Sequence, residues 1–227
     1  MTNSEIKEIL SSNGVKHLYH TNTVETSLSF IKSGGLLSRG YCEDMGLPQT
    51  PQYTDRTDKE QGIFYDIFFD SVEIQRRTGV SYYGPVLFVY SVDVLDIIEE
   101  GRIRITKNNP INWHGRLSDS EKYFLEADEL AWFFEKDNFG QHITIINQNQ
   151  PLSFEYLEKV VLSIPQQGNN QLFDIAKITI EEAMDDNWLS VPLTVRDYNY
   201  NENFSKLYSY KKIIQEHFGL GGHKIAF

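Results

Sequence analysis

The segment that most constrains the fold is residues 15–37, where a short apolar run leads into a helix with a clear start. The run alternates in character, so that Leu18 and His20 point to one side, which is typical of a β-strand. Asn22 and Glu25 have the spacing of a capping box, and this predicts that a helix begins at Asn22. Because a strand passes directly into a capped helix, we expect His20 to stand at the edge of a sheet, where ligands commonly bind.

The predicted helix has one apolar face and a glycine at its end. Val24, Leu28 and Ile31 recur at i, i+4 and i+7, so their side chains share one face of the helix. Gly34 is the residue expected to end the helix in a left-handed conformation. Leu36 then returns the chain to the core.

Further runs of the sequence predict an α+β fold. Residues 86–92 are almost continuously apolar, which is typical of a central strand that is buried on both faces. Residues 38–61 have no sustained period and are predicted to form an ordered loop that covers a ligand. Other predicted strands are residues 62–69, 102–106, 143–146 and 160–164.

In the last quarter of the sequence, the spacing of apolar residues changes to one that is typical of helices. Helical spacing of apolar residues is found over residues 172–184 and again over residues 204–218. We therefore expect residues 1–165 to form one domain and residues 166–227 to form a mainly helical extension packed on it.

The composition excludes several classes of protein. The chain has 227 residues and a formal net charge of −11, and an acidic surface is repelled by phosphates, which argues against broad non-specific nucleic-acid binding. A local basic cleft remains compatible with this charge. Cys42 is the single cysteine, so no intrachain disulfide or cysteine-based metal site is expected. No signal peptide and no apolar run of roughly 18 residues is found, so we expect a cytoplasmic protein with neither a metal nor a membrane partner.

Three side chains are candidates for ligand binding on chemical grounds. His20 can hydrogen-bond a hydroxyl group without carrying a fixed charge, and Thr21 adds a small donor and acceptor. Tyr65, in an aromatic run, offers a flat ring on which a heterocycle can stack. A histidine at a strand end is often structural, and such a tyrosine often belongs to the core. The order of the two motifs is therefore more informative than either residue.

That order resembles a known family. Residues 18–21 (Leu-Tyr-His-Thr), the following helix and residues 35–37 (Gly-Leu-Leu) resemble the first motif of ADP-ribosyltransferases of the His-Tyr-Glu type. The His-Thr spelling is similar to that of the DNA-modifying, DarT-like toxins of this superfamily. Residues 62–65 (Gly-Ile-Phe-Tyr) resemble the second motif, and residues 83–89 look like the central strand that follows. The resemblance covers roughly residues 15–165 and implies a split, mixed or antiparallel sheet with flanking helices.

The resemblance implies an NAD site with assigned roles. His20 would bind the ribose of the nicotinamide half of NAD, and Tyr65 would stack on nicotinamide. A glutamate at the start of a later strand would hold the ribose 2′-hydroxyl and stabilise the positive charge that develops as nicotinamide leaves. The other residues that we predict to bind NAD are Thr21, Asn22, Gly35, Leu36, Arg39 and Phe64.

The sequence departs from the family pattern where the glutamate is expected. The position before the strand at 143–146 is Gln141, which can hydrogen-bond a hydroxyl but supplies no negative charge. Glu135, at the end of the preceding helix, is the alternative, and Glu129 is a more distant one. Arg39 follows the first-motif helix and could clamp the pyrophosphate, or it could form a surface salt bridge instead.

These expectations lead to an NAD-dependent mono-ADP-ribosyltransferase as the first hypothesis. Its acceptor would be a nucleobase of DNA or RNA, as in a bacterial toxin or a phage-defence effector that an antitoxin accompanies. ADP-ribosylation of a protein is the alternative acceptor reaction. A further alternative is a weakly catalytic NAD-binding module on the same fold, and a phosphotransferase acting on RNA 2′-phosphate is a more remote one.

Overall fold

A computed structural model describes residues 1–52, 54–73, 75, 83–136, 143–147, 149–165, 170–198 and 210–220. The strands are β1 (His17–Asn22), β2 (Gly35–Leu36), β3 (Asp66–Asp70), β4 (Val86–Ser91), β5 (Ile103–Ile105), β6 (Ile143–Asn147), β7 (Leu152–Ser153), β8 (Leu157–Pro165) and β9 (Leu193–Tyr198). The helices are α1 (Asn3–Ser12), α2 (Val24–Lys32), α3 (Arg39–Asp44), α4 (Asp55–Gln61), α5 (Asp119–Lys122), α6 (Ala127–Glu135), α7 (Asn170–Asp186) and α8 (Tyr210–Phe218). Short 3-10 helices span Val92–Ile97, Pro110–Asn112 and Phe154–Tyr156. Within the described ranges, no helix is long and apolar enough to cross a membrane.

The core of the fold is a seven-stranded sheet in the order β5-β6-β3-β1-β4-β8-β9. All neighbouring pairs are antiparallel except β8 and β9, which are parallel. Strands β2 and β7 form a separate two-stranded sheet. Helix α2 contacts β2, α7 and α8. This arrangement of a mostly antiparallel sheet with flanking helices confirms the α+β prediction.

Strand β4 is central, as its apolar run predicts. It lies between β1 and β8, and its first five residues are buried. Its register with β1 pairs His20 with Phe88. The Phe30 ring of α2 packs on the Phe88 ring, with 6.0 Å between the ring centroids. The aromatic centre of the core therefore surrounds the end of the strand that carries the candidate histidine.

Helix α2 confirms the predicted apolar face but begins one residue later than the sequence indicates. Its N-cap is Thr23, whose side chain accepts a hydrogen bond from the backbone N–H of Thr26. Asn22 is instead the last residue of β1, and its Oδ1 accepts from the N–H of Thr23. A threonine and an asparagine are both good caps, so the sequence leaves their order ambiguous. Gly34 follows the helix with a φ of 73°, as predicted.

The prediction of a loop over residues 38–61 is wrong, because helices α3 and α4 form there. Ser38 caps α3 by accepting a hydrogen bond from the N–H of Tyr41. Gly62 ends α4 with a φ of 74°, so the chain is still leaving a helix at the point where the sequence predicts a strand. A turn that bonds the N–H of Asp66 to the carbonyl of Ile63 follows, and β3 begins only at Asp66.

The C-terminal part of the chain contributes a strand that the sequence does not predict. Strand β9 pairs with β8, and Arg196 on it bonds Ser163 and the side chains of Glu73 and Gln75. Its alternating polar residues and its position at the sheet edge explain why it has no strong apolar signal. The division of the chain at residue 165 stays a prediction.

Gly84 lies close to the backbone of Asn22, just before α2, and this contact can be tested by substitution. A Cβ at Gly84 would lie 2.3 Å from the backbone carbon and oxygen of Asn22, whereas a Cβ at Gly14 would meet nothing within 4 Å. Both glycines have positive φ values, 128° and 81°. We expect Gly14→Ala to cost about 1 kcal/mol of unfolding free energy from backbone strain alone. Gly84→Ala should cost at least about 2 kcal/mol more because the backbone must move apart. Urea unfolding of both variants measures the difference, and equal losses would contradict the close approach.

Candidate active site

A cleft lies over the ends of β1 and β3. Residues 19–22 of β1 and 66–70 of β3 line it, together with Tyr83 and residues 109–111. The first-motif segment and the two helices after it contribute Leu37, Arg39, Gln52, Thr54 and Asp58. The cleft holds about 770 Å³ of empty space, which includes space open to solvent. Of the residues that the sequence predicts as NAD-binding, His20, Thr21, Asn22 and Arg39 are therefore brought together.

The tautomer of His20 follows from its contacts. The Nδ1 of His20 lies 2.8 Å from the backbone carbonyl of Phe68. Because a carbonyl only accepts hydrogen bonds, Nδ1 carries the proton and donates it. Nε2 is then the acceptor nitrogen; this atom is buried, and among the described residues it has no hydrogen-bond partner. A ring that lines the cleft therefore carries an acceptor that the described protein groups leave unsatisfied.

The surroundings of His20 keep its ring neutral. The rings of Phe30, Phe69 and Phe88 lie with centroids 5.5, 6.2 and 6.4 Å from the imidazole centroid. The pKa of His20 is lowered to about 4, chiefly by burial and to a smaller extent by the nearby charge of Arg39, whereas the bond to the carbonyl opposes the shift. At neutral pH the site therefore holds an uncharged imidazole.

Two buried carboxylates of the cleft have raised pKa values. Asp66, the first residue of β3, is 2% exposed, and burial raises its pKa to about 6. Its Oδ2 lies 3.5 Å from Nη2 of Arg104, whose charge offsets part of that rise. Its Oδ1 is buried and accepts no hydrogen bond from the residues that the structure describes. Burial also raises the pKa of Asp58 to about 6, against a hydrogen bond from Thr54. The negative charge of Asp58 adds to the rise in the pKa of Asp66, and the negative charge of Asp55 adds to the rise in the pKa of Asp58.

Arg39 is held by protein groups. Its Nε and Nη2 donate to the two carboxylate oxygens of Asp55 at 2.9 and 2.8 Å, and its Nη1 donates to the carbonyl of Thr50 at 2.9 Å. The side chain is only 9% exposed, so this is a buried bidentate pair rather than a surface salt bridge. The positive charge of Arg39 is matched by Asp55, and a phosphate would have to share the guanidinium with that carboxylate.

The predicted stacking residue lies outside the cleft lining. Tyr65 is 46% exposed, and its hydroxyl donates to Oδ2 of Asp44 at 3.0 Å. Its ring lies against Gly40, where an added Cβ would come within 2.6 Å of a ring carbon. Phe64 is buried beneath the ammonium group of Lys59, which lies 4.3 Å from the ring centroid. Neither aromatic ring is among the residues that line the cleft.

The other residues predicted for the site have different positions in the structure. Gly35 and Leu36 belong to β2, and a Cβ on Gly35 would lie 2.3 Å from the carbonyl oxygen of Leu152 on β7. Glu135 is exposed at the end of α6 and is not part of the described cleft lining. Glu129 pairs with Lys107. Gln141 lies outside the described residues.

Sequence reasoning missed Asp58, Asp66, Asp70 and Tyr83 as cleft residues. Asp66 and Asp70 stand at the two ends of an apolar strand, four residues apart, and this spacing places both on one face of β3. That spacing was the available signal. The positions of Asp58 and Tyr83 depend on contacts between distant segments, for which the sequence gives no local sign. Among the residues that the structure describes, no three His, Cys, Asp or Glu side chains are grouped so that they could hold a metal ion.

Comparison with solved structures identifies the fold. DarT from Thermus sp. 2.9 in complex with ADP-ribosylated ssDNA matches with a TM-score of 0.51 at 11% identity, over 80% of this chain and 94% of that chain. The chain has a DarT-like fold. The same DarT is also matched in complexes with NAD+ (TM-score 0.48, 12% identity, 81% and 96% covered) and with carba-NAD+ (0.45, 11%, 80% and 95%). No protein-family model and no curated protein matches the sequence.

The raised pKa values of Asp58 and Asp66 give a pH dependence of stability with a definite sign. Both pKa values are about 6 in the folded protein against a model value of 3.8, so between these values the folded state binds more protons than the unfolded state. The stabilisation is complete below about pH 4 and is lost as the pH rises through 6. Relative to an Asp58→Asn/Asp66→Asn double variant, the wild type should lose on the order of 2 kcal/mol per carboxyl from pH 4 to 7. Urea unfolding over this range tests it, and parallel curves would contradict the raised pKa values.

Proposed function

We propose that the chain is an NAD-dependent mono-ADP-ribosyltransferase that modifies a nucleobase of DNA. The fold shared with DarT, which was solved with ADP-ribosylated ssDNA, supports the acceptor class. The observation in this chain that carries the proposal is the state of His20. It is a neutral imidazole in a cleft, and its buried acceptor nitrogen has no hydrogen-bond partner within the part of the chain that the structure describes.

The described residues fit the nicotinamide riboside half of NAD. Bound NAD supplies a glycosidic bond to nicotinamide that breaks as ADP-ribose passes to the acceptor. Nε2 of His20 accepts a hydrogen bond from a ribose hydroxyl, which orients the sugar. Because the imidazole is uncharged, it does not oppose the positive charge of the nicotinamide ring or of the sugar carbon as the bond breaks.

An aromatic wall for the nicotinamide ring is available within the cleft. Tyr83 and Phe68 both line it, whereas Tyr65 lies outside. We therefore assign ring stacking to Tyr83 or Phe68 in this proposal, in place of the tyrosine that the family resemblance indicates. Thr21 and Asn22 extend the polar edge of the same cleft beside His20.

A role as a bacterial toxin or phage-defence effector, with an antitoxin as partner, belongs to the same proposal. Its support is the resemblance of the first motif to DNA-modifying toxins. The second candidate is a weakly catalytic NAD-binding module. Gln141 favours it because an amide at this position supplies no negative charge, and so does the pairing of Arg39 with Asp55.

One experiment separates these candidates. The purified chain is incubated with NAD+ alone or with single-stranded DNA, duplex DNA, RNA or a protein mixture, and nicotinamide release and ADP-ribose adducts are measured by mass spectrometry. We expect nicotinamide release that requires single-stranded DNA, and an adduct on a base. An adduct on RNA or protein would show that the acceptor is that molecule and not DNA. Binding of NAD+ without release selects the binding module, and no binding overturns the proposal.

A pair of histidines on β1 gives the test of the site. His20→Ala removes the buried acceptor and should lower kcat/KM for NAD+ by about 100-fold, because the ribose loses its orienting contact. His17→Ala is the matched control, since His17 lies on the same strand, is partly exposed and pairs with Glu158. It should keep wild-type activity. Circular dichroism verifies that both variants are folded. Equal activity of a folded His20→Ala variant would remove His20 from the site.

A further inference from the structure

A buried network of polar side chains joins β9 to the segment that follows β3. Arg196 of β9 donates from Nε to the hydroxyl of Ser163 at 2.9 Å and from Nη2 to Oε1 of Gln75 at 2.6 Å. Its Nη1 donates to Oε1 of Glu73 at 2.5 Å, and this carboxylate balances the charge of the guanidinium. The hydroxyl of Ser163 donates in turn to Oε1 of Gln75 at 2.8 Å. Ser163 and Gln75 are 4% and 3% exposed, so the centre of the network is shielded from water.

Gln75 connects this network to the backbone beside the cleft. Its Nε2 donates to the carbonyl of Gly84 at 3.0 Å. Gly84 also packs against β1, because a Cβ there would lie 2.3 Å from the backbone of Asn22. The carbonyl of the next residue, Pro85, accepts from the backbone N–H of Ser163 at 2.9 Å. This stretch of backbone is therefore fixed by β8 and β9 on one side and by β1 on the other.

Tyr83 directly precedes the fixed backbone and lines the cleft. Asn109, which also lines the cleft, hydrogen-bonds the Tyr83 hydroxyl. Burial raises the pKa of Tyr83 to about 12, and the hydrogen bond from Asn109 opposes part of that rise. The tyrosine is thus held at its backbone through Gly84 and at the far end of its ring by Asn109.

The strand registers place the network and part of the cleft on the same face of the sheet. Thr21 of the cleft pairs with Leu87, and Leu87 pairs with Val161. Two residues further along β8, Ser163 pairs with Arg196. Paired residues of neighbouring strands share a face, and so do alternate residues of one strand. The side chains of Thr21, Ser163 and Arg196 therefore lie on one face.

Stability alone does not account for this network. The attraction between a buried guanidinium and a carboxylate often does no more than offset their desolvation, and apolar side chains of similar volume commonly stabilise a fold as well. A fully bonded polar network differs from apolar packing because its donors and acceptors match in one arrangement. Nε, Nη1 and Nη2 of Arg196 each donate to an acceptor, so the network selects one position for the segment that it bonds.

We propose that Arg196 is a positioning residue for the cleft. Through Gln75 and the backbone of Gly84 it sets the position of Tyr83, which then forms a fixed wall against which a planar ring of the ligand packs. Arg196 itself is not among the described residues that line the cleft, so its effect is indirect. The inference rests on the proposed function for the identity of the ligand. A wall that is already in place needs no ordering when the ligand binds, so its loss weakens binding.

The position of the Tyr83 ring can be measured without a ligand. The chain is labelled with 3-fluorotyrosine, and the 19F resonance of Tyr83 is assigned by its loss in Tyr83→Phe. Arg196→Met keeps an unbranched apolar side chain and removes the guanidinium. We expect this variant to shift or broaden the Tyr83 resonance. Arg102→Met is the control, because Arg102 pairs with Glu99 at the surface, and it should leave that resonance unchanged.

Binding of carba-NAD+, from which nicotinamide is not released, measures the consequence for the ligand. By isothermal titration calorimetry, Arg196→Met should raise the Kd by about tenfold. Tyr83→Ala removes the wall, and in this background the same arginine substitution should raise the Kd by less than about twofold, because an effect that passes through Tyr83 is already lost. Arg102→Met should keep the wild-type Kd.

The outcomes separate the inference from the proposed function. A changed Tyr83 resonance together with non-additive changes of Kd supports the inference. An unchanged resonance in folded Arg196→Met overturns it, and so do equal increases of Kd with and without the Tyr83 ring. Wild-type protein that does not bind carba-NAD+ overturns the proposed function and the ligand assigned to the wall, while the 19F spectra still decide whether Arg196 positions Tyr83.

Thermal melting verifies that the variants are folded. If Arg196→Met does not fold, Gln75→Met takes its place, because it removes the bond to the Gly84 carbonyl and leaves Arg196 paired with Glu73. The same changes of the Tyr83 resonance and of the Kd are expected. A folded Gln75→Met variant with the wild-type resonance and Kd would overturn the inference.

Discussion

The hydrogen bond from Nδ1 of His20 to the carbonyl of Phe68 links the fold to the chemistry of the cleft. It joins a side chain of β1 to the backbone of β3, so the pairing of the two strands also sets the orientation of the imidazole. Because the carbonyl can only accept, the bond assigns the proton to Nδ1 and leaves Nε2 as an acceptor. The rings of Phe30 and Phe88 then exclude water and keep the imidazole neutral. The packing of α2 on the sheet thereby determines the protonation state of the site.

Burial shifts the pKa values of the carboxylates in the opposite direction from the pKa of His20. Burial keeps His20 neutral, because desolvation disfavours the charged imidazolium. The same burial raises the pKa values of Asp58 and Asp66, so their ionised forms destabilise the folded protein at neutral pH. Functional sites commonly retain such unfavourable groups because a ligand interacts with them. The cleft therefore combines a neutral imidazole with buried carboxylates, of which Asp66 lies near the positive charge of Arg104.

Much of the fold could be predicted because its signals are local. The apolar face of α2, the glycine after it and the buried run of β4 each depend on spacing within one element. The predictions failed where the structure of a segment depends on its contacts with another segment. Residues 38–61 form helices whose caps are Ser38 and Gly62, although their apolar periodicity is weak. Strand β9 has polar residues at alternate positions, and Arg196 on it is satisfied only by groups from two distant segments.

The residues of the candidate site also fall into two groups. Some could be predicted from neighbouring sequence, and others are placed by contacts between distant segments. His20, Thr21 and Asn22 could be predicted as cleft residues because they follow one another on β1. Tyr65 could not be placed, because the contact of its ring with Gly40 fixes where it lies. Asp66, the next residue along the chain, turns into the cleft because it is the first residue paired within the sheet. One position along the chain therefore separates a half-exposed aromatic ring from a buried carboxylate. Position along the chain alone therefore does not tell which residue of this segment lines the cleft.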